Sequence, residues 1–370
     1  MTHVKIGDGI RTANAAFAAR PLGAHVVSPA DLTPSEVARW NELCVANPLL
    51  ASPFLTFAYA RVCAEVFHAV RVCVLTRGNE ALGFFPFQFR SPTHRLLGLA
   101  ERLGGELSDY FGLLAAPQLV LTASELLRSC RLNALFFTHL DEAQAVHGLQ
   151  GEQPETGLRI RMPAGGEPYW EELRRSDKRF VNDTERRERK LVAANGELRF
   201  VFRHATPLPH LEFLLARKRE QYERTNAKDS LATPSARKLL AQLAQSDDAL
   251  CRGVVSTLHA GDTWVASHFG LMCGGTLHYW FPVYNPELQS FSPGRLLLKS
   301  IIQMAPDLGI TLIDRGAGDT QAKRDFANEC HTFTRGLWTR ATPQATAFQV
   351  ALAAGWRLER LRGRLFAASR

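Results

Sequence analysis

A chain of 370 residues, 46% hydrophobic and 22% charged, is long enough for two cores of ordinary size, which excludes a disordered or fibrous polymer. No run of about 18 apolar residues occurs, so no membrane-spanning helix is expected. The net charge is +8, but Arg357, Arg360, Arg362, Arg364 and Arg370 against Glu359 place +4 of it at the C-terminus. The remaining body is mildly basic, and composition alone implies no nucleic-acid partner.

Residues 1–24 are polar and rich in Ala and Gly, lack a secretory apolar core, and read as a flexible leader. Thr33, Pro34 and Glu36 predict a helix opened by a capping box, and Ser52-Pro53 opens a second that runs to Phe67. "VRVCVLTR" and "ALGFFPFQFR" predict strands joined at Gly78-Asn79. The Gly-broken stretch 95–114 reads as irregular, 122–130 as a helix and 134–140 as a strand. Gly, Pro and Glu over 150–166 predict a boundary, giving domains at 25–155 and 156–343.

The second half begins with one long helical stretch over 168–195, stopped at Gly196. Its excess of basic over acidic residues reads as a solvated face that leaves room for an anionic ligand. A strand (197–205) and an amphipathic helix (208–226) follow. Three strands then form a meander, turning at Ala260-Gly261-Asp262 and Gly274-Gly275 and ending at Tyr284. A helix from Pro293 towards Gly309, a strand, a short polar helix (320–328) and a last strand complete the unit. Residues 344–370 read as a basic amphipathic tail helix, suited to packing on the body or to an anionic membrane surface. Both halves run helix, antiparallel strands, helix, strand. The expected fold is therefore α/β of the α+β kind: two copies of one unit, with mixed, mainly antiparallel sheets flanked by helices, the first copy degenerate in sequence.

Seven cysteines lie scattered, without a Cys-x-x-Cys pair, which predicts free buried thiols in a reducing cytoplasm and no zinc site by cysteine spacing. There is no Gly-x-Ser-x-Gly elbow and no recognisable nucleophile triad. The most informative stretch is Ser292-Pro293-Gly294-Arg295. Leu297, Ile301, Ala305 and Leu308 make one face of its helix apolar; Ser292 is a natural N-cap and Pro293 fits the first position. Gly294 is not explained by capping, since glycine in a helix costs about 1 kcal/mol against alanine. It does leave the first N–H groups open to an anion, with Arg295 beside them. A plain helix start and a phosphate cradle both remain open on these residues.

The chain resembles the FemAB-like branch of the GNAT acyltransferases, in particular the CelD/BcsL family linked to bacterial cellulose and polysaccharide biosynthesis. The first half carries the resemblance in "LTPSEVARWNELCVANPLLASPFLTFAYA", "GFFPFQFR" and "ERLGGELSDYFGLL". The second half carries it in "LARKREQYERTNAKD", "ASHFGL", "YNPELQSFSPGRLLL" and "LIDRGAGDTQAKRDFAN". It implies two tandem GNAT-like domains, with acyl-coenzyme A on the second. The pyrophosphate would lie at Ser292, Pro293, Gly294 and Arg295, and the pantetheine along the strand ending near Tyr284. A single glycine stands where the common pattern Arg/Gln-x-x-Gly-x-Gly/Ala has two small residues.

Direct acyl transfer needs a base for the acceptor, stabilisation of the carbonyl oxygen and a proton for the thiolate. His268 shares a strand face with Trp264, Ala266 and Gly270, opposite the more apolar face, and is the first choice of base over a structural histidine. Tyr284 would serve the thiolate or the pantetheine, or simply pack at a turn. Tyr222 and Arg224 resemble an acceptor-binding loop, with a solvated helix end as the alternative. Asp314 and Lys323 flank a loop where phosphate or acceptor would sit, while Arg324 reads as a surface ion pair. Asp109 and Tyr110 lie in a Gly-rich loop able to face the cleft between domains. The leading expectation is a cytoplasmic acyl-coenzyme A dependent N- or O-acyltransferase, most simply an acetyltransferase, acting without metal on a sugar, glycolipid or polysaccharide precursor. The alternatives are a Fem-like aminoacyl-tRNA-dependent transferase, disfavoured by the lack of a coiled-coil insertion, and an inactive scaffold of the same fold.

Overall fold

The computed structural model describes residues 21–353. The first half contains β1 (Leu22–Val27), α1 (Pro34–Ala46), α2 (Phe57–Val66), β2 (Arg71–Arg77), β3 (Glu80–Gln88), α3 (Pro92–Leu96), β4 (Leu99–Arg102), β5 (Leu114–Ala115), α4 (Ala123–Ser129) and β6 (Ala134–Asp141). Local chemistry sets several of these bounds. Thr33 and Glu36 form the expected capping box on α1, and Thr122 and Glu125 form another on α4. β2 and β3 turn at Gly78-Asn79, with Gly78 in the left-handed region at φ 63.

β7 (Pro154–Arg161) lies where the sequence reads as a Gly/Pro/Glu linker, and residue 156, the expected start of the second domain, is inside it. Composition hides this strand, but Leu158 and Ile160 alternate into the core, and Gly157 is required because a Cβ there would run into the His331 ring. β1 likewise begins inside the expected leader and pairs with β2.

The second half holds α5 (Gly166–Ser176), α6 (Lys178–Asn195), β8 (Leu198–Val201), α7 (Pro207–Thr225), α8 (Pro234–Ala244), β9 (Arg252–Ala260), β10 (Thr263–Cys273), β11 (Thr276–Tyr284), α9 (Pro293–Met304), β12 (Leu312–Ala317), α10 (Gln321–Arg324) and β13 (Glu329–Thr339). The single helix expected over 168–195 is two, because Asp177 leaves helical geometry and its carboxylate caps α6 by accepting from the Phe180 N–H. α8, capped by Thr233, was not foreseen. Residues 343–353 are helical; Leu358, Leu361, Leu365 and Phe366, on which the amphipathic tail rests, lie outside the described residues.

All thirteen strands join one sheet, in the order β1-β2-β3-β4-β6-β13-β7-β12-β11-β10-β9-β8, with β5 on β3. The order is the same read from either edge. Each half contributes five strands in series, and the last strand of each crosses over: β13 pairs with β6, β7 pairs with β12, and the two meet in the middle. The parallel pairs, β4 with β6 and β11 with β12, occupy equivalent places. One core is common to both halves, packing Trp40, Tyr59 and Phe84 with Leu239, Phe269 and Phe281. The opposite face carries separate cores, under α5, α6 and α9 in the second half and under α4 in the first. Six of the cysteines are buried thiols and Cys330 is exposed.

Candidate active site

The site follows from how the parallel pairs open. β11 and β12 stay in register only over Thr276↔Leu312, Leu277↔Ile313 and His278↔Asp314, then part. At the same point Tyr279 and Trp280 together oppose Gly270 of β10, a bulge that bends β11 away from its neighbour. Gly270 is required there, since a Cβ would overlap the His278 carbonyl. In the first half the matching gap is filled by its own chain: Phe111 bridges Leu140, and its N–H donates to the His139 carbonyl at 2.9 Å. Among the described residues, the second half keeps the corresponding wedge open.

A cavity of about 170 Å³ occupies that wedge, lined by Tyr279, Trp280 and Pro282 of β11, Arg315 and Ala317 of β12, Lys323, Asp109 and His139. Pro282 has no N–H to offer a ladder, and its carbonyl accepts 2.8 Å from Lys218 Nζ of α7. Asp109, 26% exposed at its side chain, faces the cavity and meets His278 Nε2 at 2.9 Å, while the imidazole behind it is 1% exposed. Gly316, left-handed at φ 64, makes room for this carboxylate; a Cβ would come within 3.1 Å of Oδ2. Burial pushes the Asp109 carboxyl up, but His278, His139 and Arg102 outweigh it and hold it below the usual range.

Beneath the dyad, Arg159 joins the halves. Its guanidinium donates to Asp314 Oδ2 (3.0 Å), Tyr110 Oη (2.7 Å), Asp141 Oδ2 (3.2 Å) and Glu329 Oε1 (3.4 Å), and the Tyr110 hydroxyl donates to Asp314. His331 Nδ1 meets Asp141 at 2.9 Å. Burial opposes ionisation of Asp314, yet His278, Arg159 and His331 bring its pKa to about 2. Burial, then Arg102, lowers His139 to about 4, so this ring stands neutral against the Arg102 guanidinium at 3.0 Å. Lys323 Nζ donates to the Ala317 carbonyl at 2.5 Å, and burial and Arg315 lower its pKa.

Asp109 and Tyr110 of the first half thus meet Asp314 and Lys323 of the second. His268 is elsewhere: it is fully buried, bonded through Nδ1 to Ser256 at 2.9 Å and stacked on Tyr279 at 4.3 Å. Burial, then His278, drops its pKa to about 3. The expectation that it faces a cleft fails because helices cover β10 on both sides, so neither face is solvent-facing. Tyr284 ends β11, with the Arg224 guanidinium 5.9 Å from its ring centroid. Tyr222 lies under Lys218 Nζ at 5.4 Å and contacts Ser230. Arg324 pairs with Asp319 at 3.3 Å.

Ser292 differs from its expected role. It sits in the left-handed region at φ 55 and its side chain makes no capping bond, because the 3-10 turn Pro286–Phe291 delivers the chain to α9 at a sharp angle. The start of α9 therefore has no side-chain cap, and nothing lies within 4 Å of a Cβ built on Gly294. An open groove of about 860 Å³ adjoins it, lined by Lys178, Arg179, Arg186, Arg187 and Arg295 together with Asp177 and Asp183. Arg187 donates to the Ser290 carbonyl, and Arg295 stands over Phe180 and reaches Asp183 at 3.4 Å. The Arg295 and Leu296 N–H groups are bonded to the Ser292 carbonyl, so it is the helix N-terminus and the surplus cations that fit a phosphate group.

Residues 178–324 match the family model described as an acetyltransferase (GNAT) domain. The match spans α6 to α10, and so includes the wedge and the α9 N-terminus. Among solved structures, FemX is similar at 10% identity and a TM-score of 0.54, over 85% of this chain and 96% of that one. A conserved protein of unknown function from Bacteroides thetaiotaomicron gives 10% identity and 0.51, over 85% and 98%. A tandem GNAT protein from the clavulanic acid biosynthesis pathway gives 13% and 0.45, over 85% and 97%. No curated protein matches the sequence. Most of the chain shares its fold with FemX, and the GNAT match itself lies in the second half.

Sequence reasoning missed His278, Arg159, His139 and Lys218. Lys218 carried a signal: with Leu211, Leu214 and Leu215 it falls at helical spacing on the apolar face of α7, where a lysine needs a reason. His278 and Arg159 carried none, since only the pairing of distant strands gives them partners.

Proposed function

We propose that this protein is an acyltransferase that takes an acyl group from acyl-coenzyme A and passes it to an amine or hydroxyl of a sugar, glycolipid or polysaccharide precursor. One observation carries the reading: the wedge between β11 and β12, flanked by an uncapped cationic helix start and closed at its base by Asp109 from the other half. The donor's phosphates fit the α9 start and the groove arginines, and the pantetheine fits along the free edge of β11. Asp109 takes the acceptor proton as the nitrogen or oxygen attacks the thioester carbon, and the Asp109–His278 hydrogen bond then shares that proton. The released thiolate takes a proton from solvent or from a nearby donor such as Lys218. Trp280 and Tyr279 among charged groups suit a polar acceptor with flat hydroxylated faces, which agrees with the polysaccharide-linked family that the sequence resembles.

Calorimetry with coenzyme A and acetyl-coenzyme A tests the donor. A side chain at Gly294 has free space, so Gly294→Ala should keep the fold and stabilise α9 by up to about 1 kcal/mol. Gly294→Glu should fold equally well and bind coenzyme A at least tenfold more weakly, because its charge opposes the phosphates. No binding by the natural chain, or equal binding by the Glu variant, overturns the reading.

A further inference from the structure

We propose that the surface formed by α3, the start of β6 and the end of β13 docks on an anionic lipid bilayer. α3 is a five-residue helix that ends in Leu96 and is followed by Leu97. Leu96 is 86% exposed and Leu97 37%, the former more than any other large apolar residue described. A leucine so exposed at a helix tip gains nothing in water, whereas burial in acyl chains is worth about tenfold or more in partitioning.

The surroundings are cationic. Arg95 precedes Leu96, and Arg71 is close enough to feel its charge, with Asp31 also near Arg71. Asn133 donates to the Leu97 carbonyl at 2.9 Å and accepts from the Arg340 N–H at 2.9 Å, which brings Arg131 and Arg340 to the same edge. Among the described residues Arg95, Arg131 and Arg340 have no acidic partner. The helix over 343–353 rests against α3 through Phe348 and His94, whose rings lie 6.2 Å apart. The chain leaves the described residues from this helix. An apolar tip ringed by unpaired arginines is the pattern that anionic lipid recognises; a polyanion without an apolar phase would leave Leu96 and Leu97 without a role.

Sedimentation of the full chain with vesicles of phosphatidylcholine, alone or mixed with phosphatidylglycerol, tests this surface. Binding should require phosphatidylglycerol and weaken as salt rises. Arg95→Glu with Arg131→Glu should weaken it by at least tenfold, at about fivefold per arginine. Leu96→Ser with Leu97→Ser should weaken it by about tenfold. These positions are exposed, so thermal midpoints should not move. A dye attached to Leu96→Cys, in a chain whose exposed Cys330 is replaced by Ser, should shift to the blue on anionic vesicles only. Equal binding to neutral vesicles, no binding at low salt, or binding lost only on removing 354–370 and untouched by the body variants would each overturn the proposal.

Discussion

Asp109 is a weak base by environment, because His278, His139 and Arg102 together stabilise its charged form against the effect of burial. A weak base is adequate when the attacking group becomes acidic as its bond to the acyl carbon forms, and its basic form persists at low pH. Asp109→Asn should cut kcat by about a hundredfold while coenzyme A affinity holds, as read by steady-state kinetics beside calorimetry. Lys218 presents the opposite case. Burial lowers its pKa from 10.5 to about 8, so below pH 8 the folded state holds a cation that the unfolded chain would hold more cheaply. The unfolded chain binds the extra proton between those values, so stability should rise with pH from about 8 to 10.5. Lys218→Met should therefore raise the melting temperature by a few degrees at pH 7, a gain of about 2 kcal/mol, and by less at pH 10. A melting temperature that falls at pH 7 would mean that the bond to Pro282 outweighs the burial of charge.

The bulge at Tyr279-Trp280 is the element on which the wedge depends. Gly270→Ala should push against the His278 carbonyl, costing about 1–3 kcal/mol in denaturant titration and displacing the imidazole from Asp109. Activity should then fall further than stability explains; an unchanged rate would argue that the bulge does not position the dyad. The legibility of elements from sequence divides along the same line. The hairpins at Gly78-Asn79 and Gly274-Gly275 and the cap at Thr33 were readable because their causes lie within a few residues. β7 was not, because Pro154 and Gly157 speak locally for a loop and only its neighbours β12 and β13 make it a strand. Asp109, Tyr110, Asp314 and Lys323 could be picked out one at a time from polar loops, but their convergence could not. His268 was misplaced because strand alternation indicates a face without telling whether that face is covered.

At the scale of the molecule, the crossed strands β7 and β13 and the Arg159 cluster tie the halves into one unit. Scanning calorimetry should show a single cooperative transition, and separate transitions for the halves would contradict the exchange. Arg159→Leu should destabilise by about 3 kcal/mol or more, because Asp314, Asp141 and Glu329 lose their shared cation. Asp314 has its pKa lowered from 3.8 to about 2, so its stabilising contribution should vanish as pH falls through that range. The loss should be smaller in the Arg159 variant, as acid titration of unfolding can measure.

The exchange also sets a timetable for synthesis. His331 meets Asp141 across 190 residues of chain, and β6 has no partner on that side until β13 arrives. During translation the first half must wait with a strand edge unpaired while nearly the whole second half is made. A nascent chain halted before β13 should thus be protease-sensitive and chaperone-bound along β6, a cost carried by every molecule before the wedge and its dyad can form.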